Sequence, residues 1–401
     1  TWRTETVGTL CDRFGGEVQT GPFGSQLHAS DYQDEGTPVV MPQDLIDGRI
    51  STRSIAKVGQ SHVLRMPQHV LRRGDIVFSR RGDVARFAIV NEREEGWICG
   101  TGCLRIRLNS HEVLSDYLRH FLALSSTKAW LEHHSRGVTM ANTNTSTLRE
   151  LPLRYPSVDV QRRICSILDK ADAIRRKRQE AIALTEQLLR STFLEMFGDP
   201  VTNPKGWPWV SMDEIIRETQ YGTSAKANEE RQGIPVLRMN NLTNTGGLDL
   251  SDIKWCEIAP EDLAAYTVER GDLLFNRTNS PALVGKTAVW TRDEPYAFAG
   301  YLVRVRVDES RALSHYVSGF LNSDYGKRML FAMQKTSNNM SNISASDLRR
   351  VRLPLPSIDE QRRYHRFVEA IVSSAPRRHD ALAQADTLFH SLVQRAFSGQ
   401  L

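Results

Sequence analysis

The sequence is poor in the features that mark secreted, metal-bound or membrane-spanning chains. It has 5 cysteines among 401 residues, an odd and scattered set unlike a disulfide framework. Cys99 and Cys103 have a spacing close to that of a zinc pair, but no second pair follows, so no structural zinc site is expected from them. No stretch approaches the ~20 apolar residues of a membrane span, and TWRTETVGTL at the start lacks the regions of a signal peptide. These absences predict a reduced, cytoplasmic chain.

The sequence also lacks a complete catalytic motif. SPALVGKT at 280–287 approaches a phosphate-binding loop, but Ser280 stands where the first glycine belongs. NPKGW at 203–207 lacks the second proline and the aromatic residue of an amino-methyltransferase motif, so a linker turn is the simpler interpretation. His133 and His134 are adjacent, which suits neither a shared helical face nor chelation. We therefore do not expect the chain to be an enzyme by itself.

Length and charge add two expectations. A chain of 401 residues exceeds what one hydrophobic core usually serves, which predicts at least two domains. The 52 Lys and Arg outnumber the 47 Asp and Glu and give a formal net charge of +5, which mildly favours a polyanionic partner.

One eight-residue word occurs twice. Residues 156–163 read PSVDVQRR and residues 356–363 read PSIDEQRR, and the match extends without a gap back to positions 148 and 348. The same offset pairs Phe197 with Phe397 further on. Upstream, GDIVFSRRGD at 74–83 matches GDLLFNRTNS at 271–280 with a different offset, because loops accept insertions. The chain is predicted to repeat a head and a helical tail.

The repeated word is a helix start signal. Its proline disfavours helix in the preceding residue, and Ser157 or Ser357 can then cap the first turn. Ser357 and Glu360 form a capping box, whereas Val160 replaces the glutamate in the first copy. Apolar positions at alternating steps of four and three follow and predict two long helices packed as a coiled coil. The positions expected in its core are Ile167, Ile174, Leu188, Ile371, Leu382 and Leu392.

Chain order determines the expected architecture. Helix 1 ends at the second head and helix 2 leaves it, so helices that pack together must run antiparallel and relate the heads by a pseudo-two-fold axis. Roughly 35–40 residues at ~1.5 Å each would make a rod about 50–60 Å long. Pro376 should kink or interrupt helix 2. Strand-like runs before helical stretches make each head mixed, so the fold class is α+β. The predicted domains are heads at 1–155 and 199–355 and helical spacers at 156–198 and 356–401.

Two heads related by a two-fold axis suit double-stranded DNA, whose strands are antiparallel and whose major groove recurs every ~34–36 Å. Asn or Gln can pair with adenine and Arg with guanine, although the same residue types also satisfy their own backbone in turns. The candidate DNA-binding residues of head 1 are Ser25, Gln26, Gln43, Asp44, Arg80, Arg81, Asn142 and Asn144. Those of head 2 are Tyr221, Ser224, Arg238, Asn240, Asn241, Arg277, Asn279, Lys335, Asn338 and Asn342.

The words and their order resemble one family. GPFGSQL at 21–27, GDIVFSRRGD, the Asn-rich loop before LRELPL, the QRR helix start and the terminal RAFSGQL are similar to the specificity subunit of type I restriction-modification systems, over essentially the whole chain. The resemblance implies two target-recognition domains that each read one half of an asymmetric bipartite DNA site, with spacer helices that set the unread gap. It also implies docking of two methyltransferase subunits and of restriction (translocase) subunits. No cofactor is expected on this chain, because S-adenosylmethionine, Mg and ATP would bind the partner subunits.

Two other functions stay open at this point. A coiled-coil adaptor for protein partners would need heads whose loops present apolar patches, whereas these loops are rich in Arg, Lys and Asn. A stand-alone enzyme such as a nucleotide hydrolase would be recognised by turnover of the isolated chain.

Overall fold

The computed structural model describes residues 2–24, 26–135, 141–337 and 339–401. The chain divides into two compact units, which we call unit 1 (Thr1–Arg175 with Gln384–Leu401) and unit 2 (Arg176–Ala383). Each unit therefore contains one head, the beginning of one spacer helix and the end of the other. In the parts of the chain that are described, no helix is both long and apolar enough to cross a membrane.

Unit 1 consists of short strands and short helices. Its strands are β1 (Arg3–Thr6), β2 (Glu17–Thr20), β3 (Tyr32–Gln33), β4 (Thr37–Val40), β5 (Leu45–Ile46), β6 (Arg49–Ile50), β7 (Ala56–Val58), β8 (Ile76–Ser79), β9 (Phe87–Ile89), β10 (Ile98–Cys99), β11 (Cys103–Arg107) and β12 (Pro152–Tyr155). Its helices are α1 (Val7–Phe14), α2 (Gln60–Arg65), α3 (Ser115–Leu122), α4 (Ser125–His134), α5 (Thr145–Glu150) and the first turns of α6 (Val158–Phe197). The two four-stranded sheets have the orders β2-β11-β8-β9 and β10-β4-β7-β3.

Unit 2 has the same kind of construction. Its strands are β13 (Trp209–Ser211), β14 (Ile216–Tyr221), β15 (Ile234–Leu237), β16 (Lys254–Cys256), β17 (Thr267–Val268), β18 (Leu273–Asn276), β19 (Thr278–Asn279), β20 (Thr287–Val289), β21 (Tyr296–Phe298), β22 (Leu302–Val307), β23 (Lys335–Ser337), β24 (Met340–Asn342) and β25 (Arg352–Pro354). Its helices are α7 (Leu263–Tyr266), α8 (Ser314–Asn322), α9 (Asp324–Met333), α10 (Ala345–Arg349), α11 (Ile358–Val372) and the start of α12 (Ala375–Ser398). Its main sheets have the orders β14-β22-β18-β20 and β16-β15-β21-β17.

The internal repeat is visible in the strand pairing. The sheet β2-β11-β8-β9 of unit 1 and the sheet β14-β22-β18-β20 of unit 2 are antiparallel throughout and use strands from equivalent places in the chain. In each unit the first strand of the head also pairs antiparallel with its last, β1 with β12 and β13 with β25. The predicted α+β fold with an internal repeat is confirmed.

Two arginines, one of them buried, lie on strand β11 of unit 1 and on the equivalent strand β22 of unit 2. In unit 1, Arg107 Nε donates to Asp75 Oδ1 over 2.7 Å, while the buried Arg105 pairs with Glu17 at the sheet edge. Buried charges need such partners, because an unpaired charge pays a large desolvation penalty. Unit 2 repeats the arrangement with Arg304, Arg306, Asp272 and Glu218.

The glutamine of the repeated word joins each head to its spacer helix. Gln161 has no exposed surface, and its Nε2 donates to the carbonyls of Pro156 (2.8 Å) and Glu112 (2.7 Å). Its Oε1 accepts from the N–H of Leu114 at 2.9 Å. Gln361 repeats all three contacts in unit 2, with the carbonyls of Pro356 and Arg311 and the N–H of Leu313. We call these two residues the glutamine clamps.

The buried face of the spacer helices differs from the predicted stripe. In unit 1, α6 buries Ile164 and Leu168 in the same core against which α12 packs Leu392. By contrast, the side chains of Ile174 and Leu188 are 49% and 48% exposed, contrary to their predicted place in a core. Ile167, Ile371 and Leu382 are half-buried. The reason is that α6 is buried mainly near its two ends. At each end, the head that packs against the helix determines which face is buried.

The second spacer is broken near its proline. Helix α11 ends at Val372 and α12 begins at Ala375, so Pro376 lies in the first turn of α12, where a missing N–H removes no helical hydrogen bond. The break leaves the carbonyl of Ile371 free of its helical partner. This carbonyl accepts from Ser374 Oγ (2.8 Å) and Arg378 Nη2 (3.0 Å). The predicted interruption is confirmed.

A hydrogen bond between a histidine and an aspartate connects α3 to α6 in unit 1. The ring of His120 is buried, and its Nε2 lies 2.8 Å from Asp169 Oδ1, which Arg119 also contacts. Burial is the main cause that lowers the pKa of His120, and the charge of Arg119 lowers it further. For Asp169 burial opposes ionisation, but the hydrogen bond from His120 and the charge of Arg119 outweigh it and lower the pKa. At neutral pH the pair is therefore a neutral imidazole that donates to a carboxylate.

The glutamine clamp leads to the first testable prediction. Replacing Gln161 with Leu keeps the volume but leaves two carbonyls and one N–H without partners, so we expect the free energy of unfolding to fall by about 3 kcal/mol. Urea unfolding followed by tryptophan fluorescence measures this change. The adjacent, exposed Arg162 is the matched control, and Arg162→Leu should change the value by less than about 0.5 kcal/mol. Equal midpoints for the two variants would contradict the clamp.

His120 makes the stability of unit 1 depend on pH. Its folded pKa lies below the ordinary value of 6.5, so the unfolded chain binds more protons between the two values and stability is lost as the pH falls below 6.5. We expect the melting temperature to drop between about pH 7.5 and pH 5.5, and to drop less in His120→Gln, which keeps an uncharged donor to Asp169. Differential scanning calorimetry of both proteins at the two pH values is the measurement. Parallel losses in wild type and variant would show that His120 is not responsible.

Candidate nucleic-acid interface

A small sheet in unit 2 brings several predicted DNA-binding residues together. In the order β19-β24-β23, Thr278 lies opposite Asn342, and Asn342 lies opposite Lys335. Arg277 immediately precedes β19, and its guanidinium carbon lies 4.8 Å from the centroid of the Tyr221 ring. We call the surface formed by Tyr221, Arg277, Lys335 and Asn342 the unit 2 ledge.

The unit 2 ledge is cationic and partly preorganised. A cation–π contact with Tyr221 restrains the Arg277 guanidinium, and the Tyr221 hydroxyl accepts from the N–H of Ala345 at 3.2 Å. The Nε of Arg277 is buried and has no hydrogen-bond partner among the described residues. Lys335 is 77% exposed, with its Nζ 3.6 Å from Asp347 Oδ2. The ledge thus presents donors to an acceptor-rich ligand.

The Asp347 carboxylate, the nearest negative charge to Lys335, is mostly engaged elsewhere. Its Oδ2 accepts from Ser344 Oγ at 2.6 Å and thereby helps to cap α10. This hydrogen bond is the main cause that lowers the pKa of Asp347. An exposed ion pair at 3.6 Å is worth little, so Lys335 is available to a stronger anion.

Unit 1 has the corresponding backbone with different side chains. Asn142 forms an antiparallel bridge with Arg81, at the place where unit 2 pairs Asn342 with Thr278. The carbonyl of Arg80 accepts from the N–H of Thr143 at 2.9 Å, as the carbonyl of Arg277 accepts from Ile343. Arg80 Nε and Asn142 Oδ1 are buried without a hydrogen-bond partner in the described part of the chain. We call Arg80, Arg81 and Asn142 the unit 1 ledge.

Three of the predicted DNA-binding residues are buried and form hydrogen bonds inside the heads. Asp44 and Asn241 are each 2% exposed and close equivalent turns, accepting from the N–H of Met41 (2.9 Å) and of Arg238 (2.8 Å). Asn279, 7% exposed, donates to Asn276 Oδ1 over 2.9 Å. Burial also raises the pKa of Asp44. In the free chain all three side chains are engaged inside the heads, as Asx residues in turns often are, and their predicted contacts with bases stay predictions.

The remaining predicted residues lie on loops or helix starts. Asn144 caps α5 by accepting from the N–H of Thr147 at 2.9 Å. Arg238 is held in an ion pair, with Nη2 2.8 Å from Asp252 Oδ2. Ser25 and Asn338 lie outside the described residues. The exposed members of the set are Gln26, Gln43, Ser224 and Asn240.

Tyr301 is a candidate contact that the sequence interpretation missed. It is 52% exposed in the turn before β22, and its carbonyl accepts from the N–H of Arg277 at 3.0 Å, which places it beside the unit 2 ledge. An exposed aromatic ring next to a stacked arginine can contact a base or sugar. An alignment of the two heads could have identified it. AGYLVRV in head 2 matches GTGCLRI in head 1, and Tyr301 stands where head 1 has Gly102.

Adjacent asparagines separate the structural from the surface role. Asn241 also donates through Nδ2 to the carbonyl of Asp249 at 2.8 Å, so Asn241→Ala should lower the free energy of unfolding by about 2–3 kcal/mol. The exposed neighbour Asn240 serves as control, and Asn240→Ala should shift it by no more than about 0.5 kcal/mol. Chemical denaturation of both variants checks this pair. A stability loss confined to Asn240→Ala would reverse the assignment.

Comparison with known proteins places the chain in a family. It matches the family described as "Type I restriction modification DNA specificity domain" twice, at residues 26–184 and 204–375. It is 22% identical over 389 residues to the type I restriction enzyme EcoKI specificity subunit of Escherichia coli K12, covering 92% of this chain and 83% of that protein. It is 18% identical over 418 residues to the StySPI specificity subunit of Salmonella potsdam, covering 100% and 89%.

A solved structure has the same fold. The crystal structure of the S subunit of the type I restriction-modification system from M. genitalium matches with a TM-score of 0.61 at 14% identity, over 99% of this chain and 96% of that one. Two family matches that together span most of the chain decide the assignment. The chain belongs to the type I restriction-modification DNA specificity family, and is therefore a specificity subunit and not the catalytic chain of such an enzyme.

Proposed function

We propose that this chain reads a bipartite DNA site, with one half recognised by the ledge of each head. The observation that carries the proposal is that one backbone framework occurs twice and presents different polar side chains at equivalent positions. Arg81 in unit 1 stands where unit 2 has Thr278, and Tyr301 in unit 2 stands where unit 1 has Gly102. Different side chains on one framework predict two unlike half-sites.

The chemistry of the ledges suits the major groove. The guanidinium of Arg277, restrained by its contact with the Tyr221 ring, can pair bidentately with guanine O6 and N7. Asn142 and Asn342 carry the amide group that pairs with adenine N6 and N7. In the free chain Asn142 Oδ1 is buried and Asn342 Oδ1 accepts from Thr278 Oγ1 at 3.1 Å, so both side chains would have to turn to reach a base. Lys335, largely exposed on an edge strand, is placed to contact phosphate and would contribute affinity without sequence preference.

The spacer helices would set the unread gap between the half-sites. Helix α6 is continuous over 40 residues, and the glutamine clamps fix where each spacer begins relative to its head. A helix that starts at a fixed point and has no internal break transmits a fixed length at ~1.5 Å per residue. The break before Pro376 makes the second spacer the weaker constraint.

The same helices are the proposed docking surface for methyltransferase subunits, which would in turn recruit restriction subunits. Apolar side chains that a solvated helix would avoid are exposed along α6 and α12. They are Ile174 (49%), Leu184 (56%), Leu188 (48%), Leu194 (45%) and Leu388 (54%). Leu184 and Leu188 are one helical turn apart and form the part of this set that lies together on one face of α6, where a partner could cover it. S-adenosylmethionine, Mg and ATP would be bound by those partners and not by this chain.

The half-site specificity of reconstituted enzyme tests the proposal. The chain is combined with its methyltransferase subunits, and methylation of a randomised DNA library is read by sequencing. Replacing Arg277 with Ala should relax or weaken one half-site by about 10- to 100-fold while the other half-site and the gap stay unchanged. Arg366→Ala, on the exposed face of α11, is the control and should leave the profile unaltered.

Two results would overturn the proposal. Changes in both half-sites on substitution of Arg277 would show that the heads do not read independently. A wild-type complex that methylates every sequence equally, at salt high enough to suppress phosphate-driven binding, would show that the ledges do not read bases.

A further inference from the structure

Three metal-ligating side chains meet where head 2 joins its spacer helix. His315 is the second residue of α8, and His365 and Glu369 lie four residues apart on one face of α11. One ligand atom from each of the three residues lies within 4.8 Å of the other two. All three residues belong to unit 2. The spacer helix therefore supplies two ligands and the head supplies one.

The geometry leaves a nitrogen of His315 unsatisfied. Its Nδ1 lies 2.8 Å from His365 Nδ1, so one of the two rings donates to the other. Its Nε2 makes no hydrogen bond to any residue that the structure describes and lies 3.5 Å from Glu369 Oε1, although His315 is only 7% exposed. Buried polar atoms are normally paired, so a buried nitrogen that faces a carboxylate without a hydrogen bond indicates a missing ligand.

The residue types of the cluster suit zinc. An imidazole nitrogen and a carboxylate oxygen are both zinc ligands, and histidine binds metals through a ring nitrogen that carries no proton. Zinc takes His nitrogen and carboxylate oxygen at ~2.0–2.2 Å, so that ligand atoms of a tetrahedral site lie about 3.3–3.6 Å apart. Side-chain movements on the order of 1 Å would bring the three ligand atoms to that spacing.

We propose that His315, His365 and Glu369 bind one Zn²⁺ that fastens head 2 to the start of its spacer helix. The three protein ligands leave a fourth position for water. Imidazole and carboxylate together favour zinc over magnesium or calcium, which prefer oxygen ligands alone. The proposal is independent of DNA recognition.

A competing cation does not occupy the carboxylate. Arg270 Nη1 lies 3.8 Å from Glu369 Oε2, which is a long contact, and Arg270 Nε donates to Asp293 Oδ1 at 2.8 Å. Asp293 is thus the closer partner of Arg270. Glu369, whose side chain is 31% exposed, can turn towards the histidines without leaving the guanidinium unpaired.

In unit 1, the equivalent contact between α3 and α6 is made by other residues. The positions that correspond to the three proposed ligands hold Asp116, Cys165 and Asp169, as the register of α3 with α8 and of α6 with α11 shows. Asp169 is already paired with Arg119 and His120. In unit 2 these two helix positions are Ser318 and Gly319, so Glu369 lacks both partners. A metal would replace in unit 2 the ion pairs that brace unit 1.

Zinc binding to the full chain tests the proposal. The protein is purified without a polyhistidine tag, treated with a chelator, and titrated with Zn²⁺ alone by calorimetry, with metal content measured by mass spectrometry. We expect about one zinc per chain and a rise in melting temperature of roughly 5 °C with zinc in excess. Substitution by Co²⁺ should give the visible absorption of a tetrahedral site.

Variants identify the ligands and keep the test decisive. His365→Gln and Glu369→Gln, at half-buried positions, should each weaken zinc binding at least tenfold, whereas the exposed His379→Gln on α12 should not. Failure of the buried His315→Gln variant to fold would leave these two to decide. Absence of zinc binding, or binding equal in wild type, His365→Gln and Glu369→Gln, would overturn the proposal and make the cluster a hydrogen-bonded histidine pair only.

Discussion

The structure depends on one buried side-chain amide in each unit. Gln161 and Gln361 each link the start of a spacer helix to the loop before α3 or α8, donating twice through Nε2 and accepting once through Oε1. A buried amide tolerates little misplacement, because each unmet partner is a desolvated polar group. The amide therefore fixes the rotation of the helix about its axis as well as its starting point. A purely apolar contact would fix neither, since hydrophobic packing is non-directional.

The framework that the glutamine clamps belong to is shared by the two units, whereas the side chains on the ledges differ. The order of the sheet β2-β11-β8-β9 in unit 1 and of its counterpart β14-β22-β18-β20 in unit 2, the arginine–carboxylate pairs and the clamps recur in both units, and none of them lies on a ledge. Several ledge side chains belong to short strands or to an isolated bridge, whose pairing is made by backbone atoms. Changing Arg81 or Asn142 would therefore alter what is presented without disturbing the frame.

The sequence predicted the frame better than the contacts. A repeated word with a proline and a capping serine is a local signal, so the helix starts near 158 and 358 followed from it, as did the break near Pro376. The structural role of Asp44 and Asn241 could not be predicted from the sequence. An Asp or Asn side chain can either hydrogen-bond to the backbone of its own turn or point outward to a base, and the sequence does not show which way it points. The stripe in α6 was misplaced for a similar reason. Periodicity marks an apolar face, but which residues are covered depends on the head that packs against the helix.

The division of the chain into units has a consequence for the order of assembly. Unit 2 is one continuous segment, whereas unit 1 includes residues 384–401, and its core contains Ala396 with Leu392 and Phe397 packed around it. During synthesis on a ribosome, head 1 emerges first but cannot complete its core until the last helical turns have been made. Unit 2 has all of its residues earlier and can fold ahead of the unit that precedes it. The core of unit 1 is therefore completed only after residues 384–401 have been synthesised.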